Sequence, residues 1–176
     1  MSNSLISSLD CLKMNLLQRL NTRLGRKKKR IMKMKVGTSK KRIVFDSFAL
    51  IALFRQESGY EIVRDLLVKI ANDESEGYIS AINVVEIYYM IARKSNIKNS
   101  GIALDAIRQM PLEIIEPDLK FCIEAALIKS KYSLSYADAF AAALTISKKA
   151  TLITGDKEFV TLENEPGFKV KYFNKS

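Results

Sequence analysis

The sequence predicts a three-layer α/β/α sandwich built on a parallel sheet of four to five strands. Two observations carry this. Short apolar runs alternate with longer amphipathic stretches along residues 43–176, and the connections between runs are too long for hairpins, so successive strands must pair in parallel through helical crossovers. A third concerns composition. With 48% hydrophobic and 27% charged residues, the chain can build a core, and its 176 residues suit one domain.

The elements follow in order. Ile43-Val44-Phe45 reads as a first strand, and Phe48–Phe54 as a helix behind it. Gly59 interrupts the pattern; Tyr60–Ile70 then places apolar residues at 62, 63, 66, 67 and 70, an amphipathic helix. An acidic loop, Asn72–Gly77, leads to a second strand at Tyr78-Ile79-Ser80 and a half-buried helix over Ala81–Arg93. A helix over Ile102–Met110 closes at Pro111, and Leu112–Ile115 is a third strand. Pro117 suits the first turn of a helix reaching about Lys131. Ser135 is a good N-cap for an alanine-rich helix ending near Lys148-Lys149. Ala150–Thr154 is a fourth strand and Lys169–Phe173 an edge strand.

The charge is unevenly placed. Thirteen of the 29 Lys and Arg but one of the 19 Asp and Glu fall in residues 1–42, so that segment carries +12 and residues 43–176 carry −2. The division expected is a basic N-terminal extension over residues 1–41 and a folded domain over 42–176. Within the extension, Leu5, Leu9, Leu12, Leu16, Leu20 and Leu24 line one stripe of a helix, and Arg26–Arg30 opens a flexible basic linker. Three functions suit it: added phosphate contacts, an anionic membrane surface, or targeting. Against these stands a chance extension, or a true start at Met32 or Met34. No run reaches the roughly 18–20 apolar residues of a transmembrane helix. Cys11 and Cys122 are too far apart for a CxxC site, and a reducing, cytoplasmic setting fits.

Histidine is absent, which removes imidazole catalysis, Ser-His-Asp systems and histidine-bearing zinc sites. Carboxylates take their place. Ile43–Phe54 holds one charged residue, Asp46; Ile79–Ala92 holds one, Glu86; Tyr132–Ser147 holds one, Asp138. A charge among apolar neighbours is costly unless paired or metal-bound. With Asp156, just after the fourth strand, all four acids map to the rim at the strands' carboxyl ends, where open parallel sheets bind ligands. Each also has a plain reading: Asp46 or Asp138 as a helix cap, Glu86 as a solvent-facing residue, Asp156 as a turn aspartate. Jointly they point to one acidic site. Ser47, Asn83 and Thr154 flank it and would orient the acids. Oxygen-only ligation selects Mg²⁺ or Mn²⁺ over zinc, and phosphodiester hydrolysis is the chemistry that most needs such a cluster.

At these residues the sequence resembles the PIN-domain ribonucleases, and among them the VapC-like toxins. The resemblance covers about residues 42–173 and rests on the order and spacing of IVFDSFALIALF, SAINVVEIYYMIAR, SYADAFAAAL and TLITGDKEF. It implies that Asp46, Glu86, Asp138 and Asp156 are catalytic metal ligands, that Mg²⁺ or Mn²⁺ supports endonucleolytic cutting of RNA, and that the protein is a homodimer neutralised by a cognate antitoxin. The basic leader departs from the family's pattern. Because the domain itself is slightly acidic, RNA contacts would come from local residues such as Arg93, Lys94, Lys98 and Lys157. Three alternatives stand beside this reading: a non-cleaving PIN-like module that binds RNA or protein, an RNA-processing nuclease without an antitoxin, and, more distantly, a receiver-type phosphotransfer domain, which would need a lysine that the sequence does not offer.

Overall fold

The computed structural model describes residues 40–173. The leucine-striped helix, the basic linker and Cys11 lie outside the described residues. The described chain folds as β1 (Lys41–Phe45), α1 (Ser47–Arg55), α2 (Tyr60–Ala71), β2 (Ser75–Ser80), α3 (Ala81–Lys94), α4 (Ile97–Arg108), β3 (Glu113–Ile115), α5 (Leu119–Lys131), α6 (Tyr136–Ser147), β4 (Thr151–Thr154), a 3-10 turn (Lys157–Leu162) and β5 (Val170–Tyr172). All five strands are parallel, in the order β3-β2-β1-β4-β5. The predicted sandwich is what forms.

The alternation of side chains along each strand decides which layer each element joins. Ile43 and Phe45 of β1, Ile79 of β2 and Ile153 of β4 pack with the inward faces of α1, α2, α3 and α4. Val44, Tyr78 and Leu152, one residue out of phase, pack with α5 and α6 and with Phe159, Leu162 and Phe168. The chain moves from β1 to β2 to β3 in one direction and then jumps back across the sheet to β4. Right-handed crossovers therefore put the first four helices on one face and the last two on the other. The reversal falls between β1 and β4, and this switch point is where a doubly wound sheet opens a crevice at its carboxyl edge.

Three boundaries differ from those predicted, each for a local reason. β2 begins at Ser75, not Tyr78. Glu76 lies opposite Arg42 in the β1 register and takes its Nε hydrogen bond at 3.1 Å, while the Tyr78 hydroxyl donates to the same carboxylate at 2.8 Å. Gly77 is small because a Cβ there would stand 2.5 Å from Ile70 and 2.6 Å from Leu112. The acidic segment is thus partly strand, made so by its neighbours. α4 starts at Ile97, five residues early, because the Asn96 side chain caps it by accepting from the Asn99 N–H at 2.9 Å. α5 starts at Leu119, with Asp118 accepting from the Phe121 N–H at 2.8 Å, so Pro117 precedes the cap rather than sitting in the first turn. Among the described residues no helix is long and apolar enough to cross a membrane, and Cys122 is a free thiol.

Candidate active site

Asp46 ends β1 and caps α1. Its backbone is still extended, and Oδ1 accepts the Ala49 N–H at 2.7 Å. Only 1% of the residue is exposed, and Oδ2 has no hydrogen-bond partner. Burial drives its pKa up to about 7; the Ala49 amide and a polar contact from the Thr154 hydroxyl pull the other way, and the charges of Asp138 and Asp156 push further up. Asp46 therefore caps α1 and also lies close enough to Asp138 and Asp156 to feel their charge. A cap needs one oxygen, and the second is left over.

Asp138 enters from the first turn of α6. The Ser135 hydroxyl donates to its Oδ2 at 2.5 Å and accepts its N–H at 3.1 Å, a reciprocal cap that fixes the carboxylate's rotamer. Its pKa is raised, first by burial and then by Asp156. Glu86 lies one turn and a half into α3, half-buried, and its pKa is raised by burial and by Asp138 and Asp156, with the Ser47 hydroxyl favouring its charged form. Asp156 follows β4 across the switch point. Its N–H donates to Thr154 Oγ1 at 2.8 Å, and its own Oδ1 accepts the Glu158 N–H at 2.9 Å, which starts the 3-10 turn.

Asn83 ties these supports together. Fully buried, its Nδ2 donates to Ser47 Oγ at 3.1 Å and to the Ala137 carbonyl at 3.2 Å, while Ser47 Oγ donates to the Asn83 carbonyl at 3.2 Å. One amide thus joins α1, α3 and α6 next to the residues that carry Asp46, Glu86 and Asp138. Asn83→Ala leaves the Ala137 carbonyl and the Ser47 hydroxyl short of a partner, an effect of about 1–3 kcal/mol. A thermal melt several degrees below wild type is the expected result, and an unchanged melting temperature would show the bridge to be dispensable.

The cations expected to meet RNA are distributed unequally. Lys157 is exposed and adjoins Asp156 at the rim. Arg93 and Lys94 are exposed at the far end of α3, about 10 Å along the axis from Glu86 at 1.5 Å per residue, and Lys98 follows in α4. One acid escaped the sequence reading. Oxygen atoms of Asp138, Asp156 and Glu158 all lie within 4.8 Å of one another. Glu158 sits in a polar, exposed turn beside Lys157, so it does not stand out as a single charge in an apolar stretch, and its spacing of two from Asp156 is the one signal it gives in the sequence.

The donor set fits a hard divalent cation. It is all oxygen, Asp46 Oδ2 and Asn83 Oδ1 are buried without partners, and none of the seven ion pairs among the described residues involves Asp46, Glu86, Asp138, Asp156 or Glu158. Among the described residues, the four acids interact with one another and with no cation in an ion pair.

A doubly wound parallel sheet with carboxylates gathered at its switch point defines a class of α/β proteins whose ligand site is an acidic rim. Within that class, the PIN domain family matches residues 43–164, and the chain belongs to that family. No curated protein sequence matches the chain. Several solved structures share its fold. VapBC2 from Rickettsia felis, bound to a DNA fragment from its promoter, superposes with a TM-score of 0.60 at 18% identity, covering 76% of this chain and 99% of that one. A toxin–antitoxin complex from Klebsiella pneumoniae gives 0.52 at 22% identity, covering 76% and 99%. The sarcin-ricin-loop-cleaving toxin VapC20 of Mycobacterium tuberculosis gives 0.55 at 13% identity, covering 69% and 95%.

Proposed function

We propose that the protein is a metal-dependent endoribonuclease, the toxin of a toxin–antitoxin pair, with its domain over residues 42–176 and a basic extension before it. The observation that carries this is the set of four acids, Asp46, Glu86, Asp138 and Asp156, whose charges act on one another and which form no ion pair with a lysine or arginine among the described residues. A pure RNA binder gains nothing from negative charge facing phosphate, so the arrangement favours a nuclease over a non-cleaving module. Membership of the PIN family and the VapC-like fold support the toxin branch; the partners expected are RNA, a cognate antitoxin and a second copy of the chain, in the cytoplasm.

In this reading Asp46, Asp138 and Asp156 hold the principal ion, Mg²⁺ or Mn²⁺, and Glu86 helps hold a second ion or positions the attacking water. The bound ion supplies charge neutralisation at the phosphate and a lowered pKa for a bound water. The chain's own contribution is orientation. The Ala49 N–H and Thr154 hold Asp46, Ser135 holds Asp138, the Glu158 amide holds Asp156, and Ser47 faces Glu86, so the acids need little rearrangement to accept an ion.

Incubation of purified protein with a mixed RNA pool tests this. Cleavage with Mg²⁺ or Mn²⁺ that stops on adding a chelator and returns with excess metal is expected. RNA bound but never cut under any of these conditions would move the protein to the binding modules. A neighbouring small reading frame whose product blocks this cutting would support the toxin branch, and its absence would favour an RNA-processing role.

A further inference from the structure

α5 is apolar on two opposite faces. Phe121, Ala125 and Ile128 are buried against α6 and the sheet, and on the other side Leu119, Ile123 and Leu127, spaced four apart, stand 76%, 52% and 58% exposed. A surface helix ordinarily turns charged and polar residues to water, and one that is apolar all round is covered all round. No other described helix carries three exposed large aliphatic residues in one row. The two ends of the row differ in charge. Glu116 and Asp118 are exposed at its start and form no ion pair among the described residues, whereas Lys129 and Lys131 are exposed at its end.

The same chain supplies a matching row. The leucine stripe from Leu5 to Leu24 recurs every four or three residues, Gly25 follows it as a residue that commonly ends helices, and Arg26–Arg30 comes directly after. Rows of this spacing interlock as ridges and grooves when helices pack side by side. Residues 25–39 give the stripe a tether of up to about 50 Å ahead of Lys40, enough to reach any face of a domain of this size. A segment so tethered meets its seat at an effective concentration in the millimolar range. A second copy lying on α5 has no such advantage, and it would leave the leucine stripe uncovered.

We infer that residues 5–24 form a helix that lies along α5 of the same chain, antiparallel to it, with the leucine stripe seated on Leu119, Ile123 and Leu127. Charge sets the direction. Antiparallel placement brings Arg26–Arg30 to Glu116 and Asp118, while the parallel one sets them against Lys129 and Lys131; it also opposes the two helix dipoles. Asp118 stands three residues beyond the end of β3, and β3 lies two strands from β1. The basic block thereby comes to the same edge of the sheet as the acidic rim, with roughly 10 Å between β3 and β1. The docking goes beyond the proposed nuclease function and does not rest on it.

Hydrogen–deuterium exchange of the full chain tests the docking, comparing wild type with an α5 variant (Leu119→Gln, Ile123→Gln and Leu127→Gln together), a leader variant (Leu9→Gln with Leu16→Gln) and Glu116→Arg. Glutamine forms helix as readily as leucine and the three α5 side chains face outward from the domain, so the amides of β1 and β4 should exchange alike in every variant. An isolated helix of this length is marginal in water, so protection of residues 5–24 reports a seat. In wild type these amides should exchange roughly tenfold or more slowly than in the α5 variant, about what burying one leucine-sized side chain contributes. The leader variant should lose the same protection, dilution should not change it, and Glu116→Arg should weaken it most near Leu24. Equal exchange of residues 5–24 in wild type and the α5 variant would overturn the docking. So would protection that fades on dilution as the mass seen by light scattering halves, which would make the row an interface between copies. An unchanged pattern in Glu116→Arg would overturn the antiparallel placement. RNA cleavage, present or absent, alters none of these readings.

Discussion

Asp46→Asn should lose RNA cleavage by at least roughly a hundredfold, the upper end of what even an outer partner of a metal costs, and yet fold at least as well as wild type. The two halves of this expectation have one cause. Asparagine keeps an oxygen to accept the Ala49 N–H, and it is as good an N-cap as aspartate, so α1 loses nothing. What disappears is a buried charge. In the metal-free wild type, the pKa of Asp46 rises from 3.8 to about 7 because burial penalises its ionised form. The folded state therefore holds the proton more tightly than the unfolded state. The stability this contributes is complete below pH about 4 and drains away as pH rises through 7. At about 1.4 kcal/mol per pKa unit, the loss between pH 4 and pH 8 is on the order of 4 kcal/mol. In chelator at pH 8, Asp46→Asn should thus melt above wild type, and the difference should vanish near pH 4. Added Mg²⁺ should raise the melting temperature of wild type far more than that of the variant, since ions that bind only the folded state stabilise it. A variant that cuts RNA at the wild-type rate would remove Asp46 from the site.

Phe140→Ala should be among the most damaging single truncations in the core. Phe140 is fully buried in α6, edge-on to Phe121 at 5.4 Å and to Tyr136 at 5.0 Å. It stands in the layer that pins α6 against Val44 and Leu152 of the sheet. Removing a buried phenyl ring costs about 3–5 kcal/mol, through lost transfer energy and the cavity left behind. That is a large part of a total stability of about 5–15 kcal/mol. Denaturant unfolding should show a lower midpoint with an unchanged slope, and RNA cleavage should fall with it under any condition that loosens α6, because Asp138 is two residues away. A midpoint within experimental error of wild type would mean that Tyr136 and Phe121 close the gap.

The contrast between Asp46 and Glu158 explains how much can be read from the sequence. Asp46, Glu86 and Asp138 were visible because each is the single charge in a run of apolar residues, and such a charge has to be compensated in any fold. Strand-then-helix alternation fixed which rim they reach. Glu158 lacked that contrast: it is one of several charges in a short exposed turn, and only the folded path of the chain brings its carboxylate toward Asp138. The start of β2 was hidden for a related reason. Ser75-Glu76-Gly77 has no apolar pattern of its own and becomes strand through Arg42 on the neighbouring strand and through Ile70 and Leu112 packed over Gly77. Asn83 could be placed on the face of Glu86 by its spacing of three, but its bond to the Ala137 carbonyl, 54 positions away, depends on how two helices meet.

The switch point between β1 and β4 also sets an order of events in time. Its two flanking acids, Asp46 and Asp156, are 110 positions apart, and β4 can join β1 only after the chain has crossed the sheet through α5 and α6. On a ribosome, the halves made first, β1 to β3 with their four helices, can pack while the metal site is still missing an entire wall. A chain that stops anywhere before Gly155 carries at most three of the four acids. On the proposed function, the growing polypeptide is disarmed until almost the whole domain has emerged, and the time of its translation is time in which a restraining partner can be made.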